Sequence, residues 1–184
     1  MACRAGRREG CIAVTPALDD VLLVLLGERP YSAQDLRQRH ATLFGDGQAV
    51  DLGRVTAALN RLERSGHLRI EAAAPARRRH RNRRTYVLTV AGQHRQRSWL
   101  TEIPAGAGVE DVQLRGMLAV EVADPSTFDA FLGNSLDVVR RHQREIAADG
   151  AGHPPAVRAR LAYAHELSRA LVLWLHQLPN LRRP

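Results

Sequence analysis

The sequence contains no lysine; its 27 basic residues are all arginine. That absence excludes a Walker-type phosphate loop, whose lysine reaches the phosphates, and Schiff-base catalysis, which needs a lysine amine. Cysteine is scarce. Cys3 and Cys11 lie in a stretch without apolar periodicity, so a reduced thiol pair at a frayed N-terminus is expected rather than a disulfide framework. No apolar run reaches the ~18 residues of a membrane span. The opening MACRAGRREGC carries charge but no apolar h-region, so export is not expected. Metal-ligand spacings such as HExxH, CxxC and CxxH are missing as well. His165 and His176 nearly share a helix face but stand roughly 16 Å apart at 1.5 Å per residue, too far to hold one ion. There is no GxSxG elbow, and the GAG at 106–108 lacks the third glycine and preceding strand of a dinucleotide site. Neither an enzyme nor a bound cofactor is expected.

What is present is charge, and it is one-sided. Residues 1–104 hold 18 arginines against 10 acidic residues, whereas residues 105–184 hold 9 against 9. Genomic preference for arginine does not explain this, because the neutral half is arginine-rich too. The first half therefore calls for a polyanionic partner and the second for another task.

Helical periodicity begins at Pro16, with Leu18, Val21, Leu22, Leu25 and Leu26 at three- and four-residue steps before Gly27. Ser32 is placed to cap a second helix, SAQDLRQRHATLF, with Asp35 as the acidic partner of a capping box; Gly45 and Gly47 break it. Asp51 caps a third, DLGRVTAALNRLERSG. Its inward stripe is Val55, Ala58, Leu59 and Leu62, its outward face is Arg54, Thr56, Ala57, Asn60, Arg61 and Arg64, and Gly66 ends it. The period then changes to two. HLRIEA and TYVLT alternate on either side of RRRHRNRRTY, residues 77–86, which puts six arginines into ten positions. Two alternating segments around a polar stretch predict a hairpin with a basic tip. A fourth helix follows from about Val90 to Ile103.

These parts make a winged helix-turn-helix. A helix fits the major groove and presents side chains to base edges, while a basic loop beside it holds phosphates. On that reading Arg54, near the start of the third helix, is the candidate base reader, with Thr56, Asn60 and Arg61 beside it. Gln34 and Arg37 on the second helix position the backbone, and Arg77, Arg78, Arg79, Arg81, Arg83 and Arg84 form the wing.

PAGAG at 104–108 is the natural boundary, giving a winged helix-turn-helix over 16–104, a helical dimerisation domain over 105–184 and an N-terminal extension over 1–15. The expected fold class is mainly α with a small β-hairpin wing. Beyond the boundary come EDVQLRGMLAVEVA, a helix capped by Asp124 with Pro125 at its first position, and a last helix, AVRARLAYAHELSRALVLWLHQL. In that last helix Leu161, Ala164, Ser168, Leu171, Leu175 and Leu178 keep close to a coiled-coil step, and Leu167, Ala170 and Trp174 widen the stripe. A stripe this wide has more to bury than its own small domain covers; a second copy of the chain would cover it.

Taken together, ALDDVLLVLLGERP, GRVTAALNRLERSGHL, RRTYVLTVAG and the helical region ending near LWLHQL resemble the PadR-like transcriptional regulators over nearly the whole chain. The resemblance implies a cytoplasmic, nucleoid-associated homodimeric repressor that binds an inverted-repeat operator of double-stranded DNA, with half-sites of the ATGT and ACAT kind. It also implies release by a small hydrophobic, aromatic or drug-like effector. Trp99 and Trp174 are then candidate ligand-stacking residues, their other reading being core or dimer packing. The sequence departs from the family pattern at Thr56-Ala57, where the family has tyrosine and proline, and at Ser32-Ala33-Gln34, where it has His-Gly-Tyr. Two other readings remain open: a sequence-independent nucleic-acid binder, and a ligand-sensing module with secondary DNA activity.

Overall fold

Local signals decide where the helices of the first half begin and end. The computed structural model describes residues 18–45, 49–71, 84–148 and 152–182. Helix α1 spans Leu18–Leu26, and the expected start at Pro16 lies outside the described residues. A two-residue strand, β1 (Tyr31–Ser32), leads into α2 (Ala33–Phe44). Ser32 caps α2 as expected: its Oγ accepts from the Asp35 amide at 3.3 Å, and the Asp35 carboxylate reaches back to the Ser32 amide. Helix α3 (Leu52–Arg64) is capped by Asp51, whose Oδ1 accepts from the Arg54 amide at 2.9 Å. Gly66, at φ +76°, turns the chain out of α3, a conformation that glycine adopts without a Cβ clash.

Strands β2 (Leu68–Glu71) and β3 (Thr85–Leu88) pair antiparallel with Leu68 opposite Leu88 and Ile70 opposite Tyr86. β3 also pairs with β1, Tyr31 opposite Tyr86, so the sheet order is β1-β3-β2. Sequence periodicity did not anticipate β1. Two residues are too few to show alternation, and only the long-range pairing defines the strand. Helix α4 (Val90–Thr101) ends two residues short of the expected Ile103.

After the 104–108 break come α5 (Val109–Val122), α6 (Pro125–Ala148) and α7 (Pro155–Arg182). The fold is mainly α: a winged helix-turn-helix, hereafter the head, continued by three helices, the arm. One apolar core runs through both, from Leu22, Leu25, Leu59 and Leu62 in the head to Leu118, Phe131, Leu175 and Leu178 in the arm. The helices α1 and α4 form the junction, packing on α5 and α6 respectively.

Helix α7 sorts the expected stripe into two faces. Ser168, Leu171, Leu175 and Leu178 are buried within the chain against α5 and α6, so they belong to its own core. A second line, Tyr163, Leu167, Ala170, Trp174, Gln177 and Leu181, repeats at alternating steps of four and three, the coiled-coil spacing. Tyr163 and Leu181 on it are 67% and 66% exposed.

Two titratable groups tie the fold to pH. Asp124 caps α6 as expected, accepting from the Ser126 hydroxyl, the Thr127 hydroxyl and the Thr127 amide at 2.6, 2.6 and 3.0 Å. These bonds hold its carboxyl well below the usual carboxylate range. His40 in α2 is buried beside Phe44, and its Nδ1 has no hydrogen-bond partner. Burial holds this imidazole below its ordinary value. Both folded-state values are depressed, so both contributions are complete at high pH and are lost on acidification. As pH falls below about 6.5 the unfolded chain takes up a proton at His40 that the folded chain refuses. Below about 4 the stability contributed by the Asp124 cap declines progressively toward the carboxyl's depressed folded-state value. Urea titrations across pH should show two successive losses. His40→Leu should remove the upper one, and Asp124→Ala should cost about 1 kcal/mol at neutral pH.

Candidate nucleic-acid interface

Helix α3 divides cleanly around its axis. Val55, Ala58, Leu59 and Leu62 point into the core, while Arg54, Ala57, Arg61 and Arg64 form an exposed line at steps of three and four. At 1.5 Å per residue this line is roughly 15 Å long. Thr56 and Asn60 flank it, half-buried.

The outward residues are not equally free. The Arg54 side chain is exposed, and its backbone is fixed by the Asp51 cap. Arg61 is bound by Asp19 of α1 in a two-point contact, Nη2 to Oδ1 at 2.5 Å and Nε to Oδ2 at 3.2 Å, which raises its already high pKa. The Thr56 hydroxyl donates to the Leu52 carbonyl at 2.8 Å, and Arg64 Nε donates to the Asn60 carbonyl at 3.1 Å. Gln34 and Arg37 are half-buried on α2, which packs directly on α3.

The hairpin is held against the end of α3. Thr89 donates from its amide to the His67 carbonyl at 3.0 Å and from its hydroxyl to the Gly66 carbonyl at 2.6 Å. Arg77, Arg78, Arg79, Arg81 and Arg83 lie outside the described residues, and Arg84 is exposed just before β3. Arg69, exposed on β2, is a cation on this part of the head that sequence reasoning did not single out, whereas Arg64 stands on the outward face of α3 as expected. A period-two strand with a polar outward position gives no hint of which outward side chain matters.

Trp99 and Trp174 both pack on α5, at consecutive residues. The Arg115 guanidinium lies 4.5 Å from the Trp99 ring centroid, and Arg115 also donates to the carbonyls of Trp99 and Glu102 and to Asp111. The Trp174 ring edge sits over Gly116, where a Cβ would come within 2.5 Å of it. Neither tryptophan lines the open cleft of about 480 Å³ at the junction of head and arm. Its apolar lining includes Leu26, Pro30, Leu88, Leu100 and Val122, with Arg29, Arg97, Gln93 and Gln96 among its polar groups. The Arg29 guanidinium stacks 4.8 Å from the Tyr31 ring, and the charge of Arg97 adds to the cap hydrogen bonds in holding down the pKa of Asp124, whose carboxylate also lines the cleft. No group of three or more metal-ligating side chains occurs among the described residues, nor does a helix long and apolar enough to cross a membrane.

No family model and no curated protein matches the chain. Among solved structures it is similar to Bacillus subtilis PadR in complex with operator DNA, at TM-score 0.42 and 16% identity over 89% of this chain and 97% of that one. It is also similar to B. subtilis PadR in complex with p-coumaric acid, at 0.37 and 17% over 90% and 94%. A third is the PadR-like transcriptional regulator BC1756 from Bacillus cereus, at 0.35 and 17% over 89% and 96%. The likeness to each of the three extends over about nine-tenths of this chain.

Proposed function

We propose that the chain is a homodimeric winged-helix transcription regulator, most simply a repressor, that binds an inverted-repeat operator in the cytoplasm. The observation that carries this reading is the coincidence of charge and shape. The chain's net positive charge belongs to residues 1–104, and within them a line of three guanidiniums runs along the exposed side of a capped helix beside a hairpin. Each protomer would lay α3 in a major groove, with Arg54 on base edges, Gln34 and Arg37 on the backbone, and the wing arginines on neighbouring phosphates. Residues 16–104 then act as the reading domain and residues 105–184 as the dimerisation domain. The exposed ends of the α7 line, Tyr163 and Leu181, support the second role, since a second copy would cover them.

Footprinting of the chain's own upstream region tests the reading. A protected inverted repeat is expected, preferred over random duplex by ~10³ or more. Equal competition by random duplex would overturn it in favour of a sequence-independent binder. That alternative draws support from Arg61 and Thr56, whose polar atoms are already engaged within the head and leave fewer groups for bases.

An effector would bind in the junction cleft, where it could bias the angle between head and arm. The exposed guanidiniums of Arg29 and Arg97 over an apolar lining, with the Asp124 carboxylate beside Arg97, suit a small amphipathic molecule whose anionic group meets the side of Arg29. Ligand-induced release from DNA should then be lost in Arg29→Ala and retained in Trp99→Phe, measured by fluorescence anisotropy. The opposite pattern would move the effector to the tryptophan.

A further inference from the structure

One arginine of the basic half, Arg39, turns its charge inward to join elements far apart in the sequence. Arg39 on α2 donates from Nη2 to Glu121 of α5, 82 positions away in sequence, and to Glu28 Oε2 at 3.3 Å. Glu28 in turn accepts from the Tyr31 hydroxyl at 2.9 Å, which extends the chain of contacts to β1. The Arg39 side chain is 24% exposed, and its Nε is buried with no hydrogen-bond partner, so its bonding is committed to the two carboxylates. α2 packs on α1, α3 and β1 but makes no broad contact with α5. On the α4 side the junction is already fixed by polar contacts, Arg115 of α5 donating to the Trp99 and Glu102 carbonyls and Asn134 Nδ2 of α6 donating to the Thr101 carbonyl at 2.8 Å. The Arg39–Glu121 contact adds a directional tie on the other side of the head, from α2 to α5.

We infer that Arg39 is a positioning residue whose ion-pair strut to Glu121 sets the angle at which the head, and with it α3, is held relative to the arm. The inference rests on the proposed reading of DNA by a dimer, in which that angle fixes how the two heads meet an operator. Arg39 therefore acts through α3 and touches no DNA.

Charge gives the test its sign. Glu121→Gln removes an acidic group, so electrostatics alone would strengthen binding to every duplex. The strut predicts the reverse for sequence preference. In anisotropy titrations with a 40-base-pair duplex from the upstream region and a random duplex of equal composition, Glu121→Gln should cut the preference for the upstream duplex about three- to fivefold. Arg39→Gln should cut it similarly, and the double variant no further than either single one. Unchanged preference in Glu121→Gln, or additive losses, would overturn the strut.

A second arm needs no DNA. Spin labels at Gln38→Cys and Gln113→Cys, in a chain carrying Cys3→Ser and Cys11→Ser and diluted with unlabelled chain, report the distance between α2 and α5. Glu121→Gln and Arg39→Gln should each broaden or shift that distance distribution, and an unchanged distribution would overturn the inference. If the unsubstituted chain shows no preference for the upstream duplex, the regulatory reading fails while the label distances still judge the strut.

Discussion

Gly92→Ala is expected to destabilise the chain by about 2–4 kcal/mol, the upper part of the range for overpacking. A Cβ at this position would stand 2.1 Å from the His67 carbonyl oxygen and 3.3 Å from the Leu88 side chain. The first of these atoms belongs to backbone, in the turn that joins α3 to β2, and it already accepts from the Thr89 amide. It cannot swing aside as a flexible side chain would, so α4 must lift away from the base of the hairpin. Helix propensity runs the other way, since alanine is favoured over glycine in a helix by about 1 kcal/mol, and the clash must exceed that gain. Gly133→Ala in α6 is the matched control. It is exposed, nothing lies within 4 Å of its Cβ position, and the propensity gain of up to about 1 kcal/mol should appear as added stability. Thermal denaturation should therefore show a fall of roughly 5–15 °C for Gly92→Ala and a small rise for Gly133→Ala. A rise, or no fall, at position 92 would mean that α4 does not seat on the turn as described.

The contrast between these glycines shows what sequence can convey. Both sit inside helical patterns, and nothing in the local residues distinguishes one pressed against a carbonyl from one facing solvent. Features that depend on neighbours a few residues away were readable: the Ser32–Asp35 capping box, the Asp51 and Asp124 caps, the Gly66 exit and the inward stripe of α3 all follow from spacing alone. The paired strands were readable from alternation, but β1 was not, because a two-residue strand exists only through its pairing with β3. The same limit applies to charge. Arg61 looks like any other cation on the outward side of α3 until Asp19, 42 positions earlier, is seen to bind it, and Arg39 looks like one more basic residue until Glu121 is found beside it. The partner of a guanidinium is a tertiary fact. So is the junction cleft, which draws its lining from the end of α1, from β3, from α4 and from the α5–α6 connection.

For DNA binding the largest effect is expected at the wing. Replacing Arg77, Arg78 and Arg79 together with alanine should weaken binding to upstream and random duplexes alike. Phosphates carry no sequence, and each lost phosphate contact should flatten the salt dependence by roughly 0.9 in log–log slope. Arg54→Ala should act differently. A guanidinium bridging guanine N7 and O6 is worth about 1–3 kcal/mol of discrimination, so the loss should fall mainly on the specific site and leave most of the salt slope intact. Arg61→Ala separates the two mechanisms further. Its guanidinium is held by Asp19, so removing it should change affinity less than Arg54→Ala does. Asp19→Ala, by releasing Arg61, should tighten binding to both duplexes. Titrations at several salt concentrations with both duplexes read all four variants on one scale. Should the wing triple variant and Arg54→Ala lose affinity in the same proportion on both duplexes, the assignment of reading to α3 and holding to the wing would fail, and the head would bind charge without reading sequence.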